Sequence, residues 1–197
     1  MNWRKSDGQP YGSFAPLAGE IKKQKQELIF AANAGPFHSD LTPTGLYIEN
    51  GKELNPIQPA EATGVGNFYL KPNGVFGLTK GKPFLLTTED FIKQKPAADF
   101  ASQSGPMLII NGDLNPSLDP KPNALKTRSA VCISEKKNVV FAMSDSVLTL
   151  YSMAVYLKSL NCVNALTLDS TSSSFYMPSL KRADLWVPIG AMIAVVR

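Results

Sequence analysis

The sequence predicts an α+β fold in a single domain spanning residues 1–197. Three observations carry that prediction. Short apolar runs recur along the chain, separated by turn dipeptides such as Asn50-Gly51, Asn73-Gly74 and Asn111-Gly112. Two longer stretches repeat their apolar residues at helical spacing. Strands and helices do not alternate as a doubly wound sheet requires, so the strands are expected in a mixed, mostly antiparallel sheet with two principal helices packed on it.

The elements follow in chain order. Ser13 to Lys25 reads as a helix, with Phe14, Leu17, Ala18 and Ile21 on one face and Ser13 as N-cap. Leu28 to Ala32 is a buried strand ending in Asn33-Ala-Gly-Pro-Phe37. Gly45 to Glu49 and Lys52 to Leu54 form a hairpin across Asn50-Gly51. Asn67 to Leu70 and Val75 to Leu78 form a second across Pro72-Asn73-Gly74, and Pro83 to Leu86 adds a strand after Lys80-Gly81. Thr88 to Lys95 is a short capped helix, and Met107 to Ile110 a strand turning at Asn111-Gly112. Beyond the Pro-rich 115–123 loop, Ser129 to Ile133 pairs with Asn138 to Met143. Thr149 to Leu160 is the second long helix, followed by strands at 164–169 and 189–196.

Composition narrows the function classes. With 44% hydrophobic and 18% charged residues, the chain builds a substantial core. The net charge of +4 favours anionic partners, but the basic residues are scattered and no basic run is interleaved with aromatics, which argues against nucleic acid. No segment approaches the roughly 20 continuous apolar residues of a membrane span. The start at Met1-Asn-Trp-Arg-Lys is polar and carries no signal-peptide pattern, so the chain reads as cytoplasmic or as a mature piece without its leader. Cys132 and Cys162 lie beside apolar runs; two buried free thiols are the default and one disulfide the alternative. One histidine and two separated cysteines make a transition-metal site improbable, and no cofactor is expected, although Asp169 and loop oxygens suit a hard divalent cation.

Five polar clusters sit at or beside the ends of apolar strands: Asn33 to His38, Ser102 to Pro106, Lys126 to Arg128, Ser144-Asp145 and Asp169 to Ser174. Strand ends meeting at one rim make pockets. The last cluster is the most informative. The run Asn164-Ala-Leu-Thr-Leu-Asp169 opens into five consecutive hydroxyl residues, suited either to a ligand or to capping a surface loop.

The order of these motifs resembles the phosphodiester glycosidase family. The likeness rests on Asp7 to Gly12, Phe30 to Gly35, Pro43 to Glu49, Asn67 to Phe76, Gln103 to Leu108, Arg128 and Asn164 to Asp169, taken as an ordered set. It implies hydrolysis of a bond between a sugar and a phosphodiester, with a carbohydrate or sugar-phosphate substrate. It also implies an exported, periplasmic or secreted protein, a longer native N-terminus with a leader, and a place in the short bacterial branch. One departure stands out: the family usually carries Gly where this chain has Ser170-Thr171, which bears on catalytic competence.

On this reading Asp169 is the catalytic carboxylate or a loop cap, and Arg128 holds phosphate through its fork or makes a surface ion pair. Asn33, grouped with Asp169 and Arg128 as catalytic, and Gln103 bind sugar or phosphate, or satisfy loop backbone. Gly105 lets the backbone approach a ligand, Ser173 and Ser174 donate to phosphate, and His38, Asp145 and Glu49 complete the substrate-binding candidates. A binding domain of the cell envelope that holds sugar phosphate or polysaccharide without turnover is the alternative, and a purely structural envelope protein a third. Oligomeric state is not legible.

Overall fold

The computed structural model describes residues 1–59, 61–121, 124–169, 172–184 and 188–197. The expected class holds. The described strands pair antiparallel throughout, and they divide into three sheets rather than one.

In chain order the elements are α1 (Phe14–Lys23), β1 (Leu28–Asn33), β2 (Tyr47–Glu49), β3 (Lys52–Asn55), β4 (Gly74–Thr79), β5 (Lys82–Thr87), α2 (Thr88–Gln94), β6 (Phe100–Ser104), β7 (Met107–Ile110) and β8 (Asp113–Leu114). They continue with β9 (Ser129–Ser134), β10 (Val139–Met143), α3 (Leu150–Ser159), β11 (Cys162–Asp169), β12 (Phe175–Met177), β13 (Arg182–Ala183) and β14 (Met192–Val196). The sheet orders are β13-β12-β1-β14, β10-β9-β11-β7-β8 and β3-β2-β6-β4-β5. The dipeptides Asn50-Gly51, Lys80-Gly81 and Asn111-Gly112 all have positive φ, the backbone that tight hairpins require.

Period-two alternation explains the layering. Ala32, Tyr47, Phe76, Met107, Val131, Leu166, Leu168, Phe175 and Ile193, drawn from all three sheets, meet in one inner core. The alternate residues face outward, and each outer face is covered by one helix. Phe14, Leu17 and Ile21 of α1 cover Leu28, Ala31 and Met192; Phe91 of α2 covers Val75 and Ala101; Met153, Ala154 and Leu157 of α3 cover Leu108, Ala130 and Ala165. Each fully buried large aliphatic or aromatic side chain contributes about 1.5–3 kcal/mol. Strands buried on both faces read as continuous apolar runs, which is how β1, β7 and β9 show in the sequence.

Four points of the sequence reading are corrected. Asn67–Tyr69 is a 3-10 turn and not a strand, because Gly66 at φ 102° bends the chain and Pro72 has no N–H for a ladder. β6, with the sequence Phe-Ala-Ser-Gln-Ser, was not foreseen as a strand and lies at the centre of its sheet. Cys132 and Cys162 are not free thiols. They form a disulfide between neighbouring strands β9 and β11, with the two Cα atoms 5.9 Å apart. The side chain of Ser13, expected as a cap, makes no capping bond; Thr87 and Thr149 do cap α2 and α3.

Candidate active site

The three sheets meet at a seam of buried polar side chains formed where β1, β6 and β11 end. Asn33 closes β1 and is fully buried. Its Nδ2 donates to Asp169 Oδ2 at 3.2 Å, and its Oδ1 accepts from the Ser174 N–H at 3.2 Å. Ser104, at the end of β6, donates to the Leu168 carbonyl at 2.8 Å, and Ser102 donates to the Ala34 carbonyl at 2.7 Å. Each sheet is therefore tied to the other two by hydrogen bonds that a dry interior makes costly to lose.

Asp169 ends β11 opposite Ser129 of β9. Among the described residues its Oδ2 collects three donors: Asn33 Nδ2, the Ser172 N–H at 3.1 Å and the Ser172 hydroxyl. Its carbonyl accepts from Ser173 at 2.8 Å and Ser129 at 3.3 Å. The described part of the hydroxyl run, Ser172 to Ser174, thus has two jobs. Ser172 orients the carboxylate, while Ser173 and Ser174 face inward and tie the loop down, Ser174 through its bond to the Ser172 carbonyl at 2.9 Å. Ser170 and Thr171, where the sequence departs from the family's usual glycine, lie outside the described residues.

Asp169 lines a cleft of about 470 Å³ together with Leu168, Gly105, Thr44, His38, Phe37, Lys126 and the 64–69 segment. Among the described residues Asp169 is its one carboxylate and Lys126 its one lysine or arginine. Gly105 is required there for space: a Cβ would sit 2.8 Å from the Phe68 carbonyl oxygen and 2.8 Å from Asn73 Cβ. Val65 is fully exposed at the mouth, while Phe68 beneath it is buried and meets Tyr69 edge to face at 5.1 Å.

Of the expected site residues, Asn33, Asp169, His38 and Gly105 come together. Gln103 does not reach the cleft. Its Oε1 accepts from the Leu46 and Gln58 N–H groups at 3.1 and 2.9 Å, and its Nε2 donates to the Gln58 carbonyl at 2.8 Å and Thr88 Oγ1 at 3.0 Å. Those four bonds exhaust an amide, so Gln103 fastens loops. Glu49 accepts from Tyr47 Oη at 2.8 Å, and Asp145 pairs with Arg182 at 2.7 Å; neither lines the cleft.

Arg128 is placed beneath the rim and does not line it. One residue before Ser129, it turns away from Asp169 by strand alternation. It is 1% exposed, donates through Nε to the Leu148 carbonyl at 3.1 Å and through Nη2 to the Ala124 carbonyl, and among the described residues leaves Nη1 without a hydrogen-bond partner. Burial pulls its pKa below the ordinary guanidinium value. It thereby anchors the segment that carries Lys126, whose backbone N–H and carbonyl bond Leu148. Lys126 was legible only as part of a cluster in which the guanidinium drew attention first.

Comparison with known proteins addresses the family and the fold. A profile of the phosphodiester glycosidase family matches residues 26–194. The chain is 36% identical over 198 aligned positions to the uncharacterized protein YigE of Escherichia coli K12, covering all of this chain and 76% of that protein. Its fold is similar to the zebrafish N-acetylglucosamine-1-phosphodiester alpha-N-acetylglucosaminidase catalytic domain, auto-inhibited by its pro-peptide, with TM-score 0.61 at 19% identity over 90% of this chain. A hypothetical protein from Synechocystis gives TM-score 0.55 at 15% identity over 91%. The chain spans 64% and 53% of those two structures, respectively.

Proposed function

Because this chain belongs to the phosphodiester glycosidase family, we propose that it hydrolyses the bond between a sugar's anomeric carbon and a phosphodiester oxygen, with Asp169 as the catalytic carboxylate. The observation that carries this reading is a cleft holding one oriented carboxylate and one lysine. Glycosidases commonly need a second carboxyl to protonate a poor leaving group. A phosphodiester leaves as a stabilised phosphate anion, so a single carboxylate beside a cation matches the demand.

In the proposed step the anomeric carbon–oxygen bond breaks with its electron pair going to the phosphate oxygen. Asp169 stabilises or captures the oxocarbenium-like carbon, and water supplies the new hydroxyl, its other proton passing to the released phosphate monoester. Lys126 balances the phosphate charge, and Arg128 acts as a positioning residue that holds the 124–126 segment. Asn33 and Ser172 fix the carboxylate's orientation through Oδ2. The disulfide supports an oxidising compartment, periplasmic or extracellular, as the place of action.

Hydrolysis of a sugar-1-phosphodiester in heavy-oxygen water tests the bond cleaved. Label in the released sugar is the expected result. Label in the phosphate would show attack at phosphorus and sink the glycosidase reading. Tight binding with no product would leave the non-catalytic envelope binding domain.

A further inference from the structure

We propose that His38 is the general base of the hydrolysis, taking a proton from the water that attacks the anomeric carbon. The proposal rests on the glycosidase reading. Its ground is an imidazole that the fold presents to the cleft and does not itself use. His38 is the chain's one histidine, is exposed, and lines the same cleft as Asp169 and Lys126. Among the described residues its ring makes no hydrogen bond.

An exposed histidine on a loose loop would mean little. This loop is tightly built. The Thr44 N–H donates to the Pro36 carbonyl at 3.0 Å, the His38 N–H to the Thr42 carbonyl at 2.9 Å, and the Leu41 N–H to the His38 carbonyl at 2.8 Å. Asp40 Oδ1 accepts from the Thr42 hydroxyl at 2.6 Å and the Thr42 N–H at 3.0 Å. The turn sits down on Gly190, where a Cβ would come 2.8 Å from Phe37 Cβ and 2.9 Å from the Leu41 carbonyl oxygen. These contacts hold the turn through its backbone, Phe37 and Asp40, and not through the imidazole. A catalytic group carried on a fixed support and left open to ligands has this form.

The chemistry leaves one role unfilled. Among the described residues the ionisable groups lining the cleft are His38, Tyr69, Lys126 and Asp169. Asp40 faces the ring from the same turn: the bonds from Thr42 first, and the charge of His38 after them, hold its carboxyl below the usual range. In the proposed reaction Asp169 serves the anomeric carbon and Lys126 the phosphate. The water oxygen bonds to that carbon, and the bond to the phosphate oxygen breaks with its electron pair leaving on phosphate. The water's surplus proton needs an acceptor, and imidazole is the side chain suited to take one near neutral pH. His38 then passes it to the released phosphate monoester.

The test is steady-state hydrolysis of a sugar-1-phosphodiester by the full chain and by His38→Ala. The variant should lose about 10²–10⁴-fold in kcat with KM and Tm nearly unchanged. Azide has no proton to lose, so it should restore turnover in the variant and yield a glycosyl azide. Wild-type kcat/KM should fall toward acid pH as the base is protonated, and in His38→Ala that limb should shift to lower pH. Full kcat in the variant, a rise in KM alone, an unmoved acid limb or failure of azide to rescue overturns the proposal, while turnover by the wild type leaves the glycosidase reading standing. A wild type that releases no sugar overturns both.

Discussion

Replacing Asn33 by alanine removes two hydrogen bonds at the seam of the three sheets. One is the Nδ2 donation to Asp169 Oδ2 at 3.2 Å, a bond to a charged acceptor, worth about 1.5–3 kcal/mol. The other leaves the N–H of Ser174, a residue 2% exposed, without an acceptor at about 1–3 kcal/mol. The sum is about 4 kcal/mol, or roughly 10 °C in Tm for a domain of this size. Urea unfolding followed by circular dichroism measures it, with an unchanged m-value marking a stability effect. Ser102→Ala is the comparison: its neutral bond to the Ala34 carbonyl at 2.7 Å contributes about 1 kcal/mol. A loss below about 1 kcal/mol for Asn33→Ala, or no more than for Ser102→Ala, would refute the idea that this amide joins the sheets.

Other consequences follow from the same geometry. Tyr47 is buried with its hydroxyl on Glu49 at 2.8 Å, and burial first, then that carboxylate, pushes its pKa above the ordinary tyrosine value. Only the unfolded chain then releases this proton near pH 10, so the contribution is intact below that and declines above it by about 1.4 kcal/mol per pH unit. Tyr47→Phe should flatten the alkaline stability profile, and an unchanged slope would show that Tyr47 is not the group involved. The disulfide closes a sequence separation of 30, so Cys132→Ala with Cys162→Ala should cost about 3.5 kcal/mol in denaturant unfolding. Lys126→Ala should lower kcat/KM for a sugar-1-phosphodiester about 10–100-fold, and Lys126→Arg should recover part of it; full activity in the alanine variant would remove Lys126 from the phosphate site.

Much of the fold was legible because apolar periodicity and turn dipeptides are local signals. Asn50-Gly51 and Lys80-Gly81 marked hairpins that the structure contains at those positions. β6 was hidden for the opposite reason. Its Ser102, Gln103 and Ser104 are polar, yet all are buried and bonded to backbone, the two serines across the seams and Gln103 to the loop at Gln58, and such a strand is indistinguishable from a loop until its partners are known. The same ambiguity governed the site. Asn33 and Asp169 stand 136 residues apart and meet because two sheets end together. Gln103 and Arg128 carried equally suggestive side chains, but their bonds run into the protein. Which way a polar side chain turns depends on strand register, and that is set by tertiary packing.

The central claim is that Asp169 drives cleavage of a sugar–phosphate bond in this cleft, and Asp169→Asn tests it most directly. The substitution keeps the shape of the side chain while removing its charge. Product release from a sugar-1-phosphodiester should fall by about a thousandfold or more, while calorimetry shows substrate still bound. Turnover retained in Asp169→Asn would contradict the account.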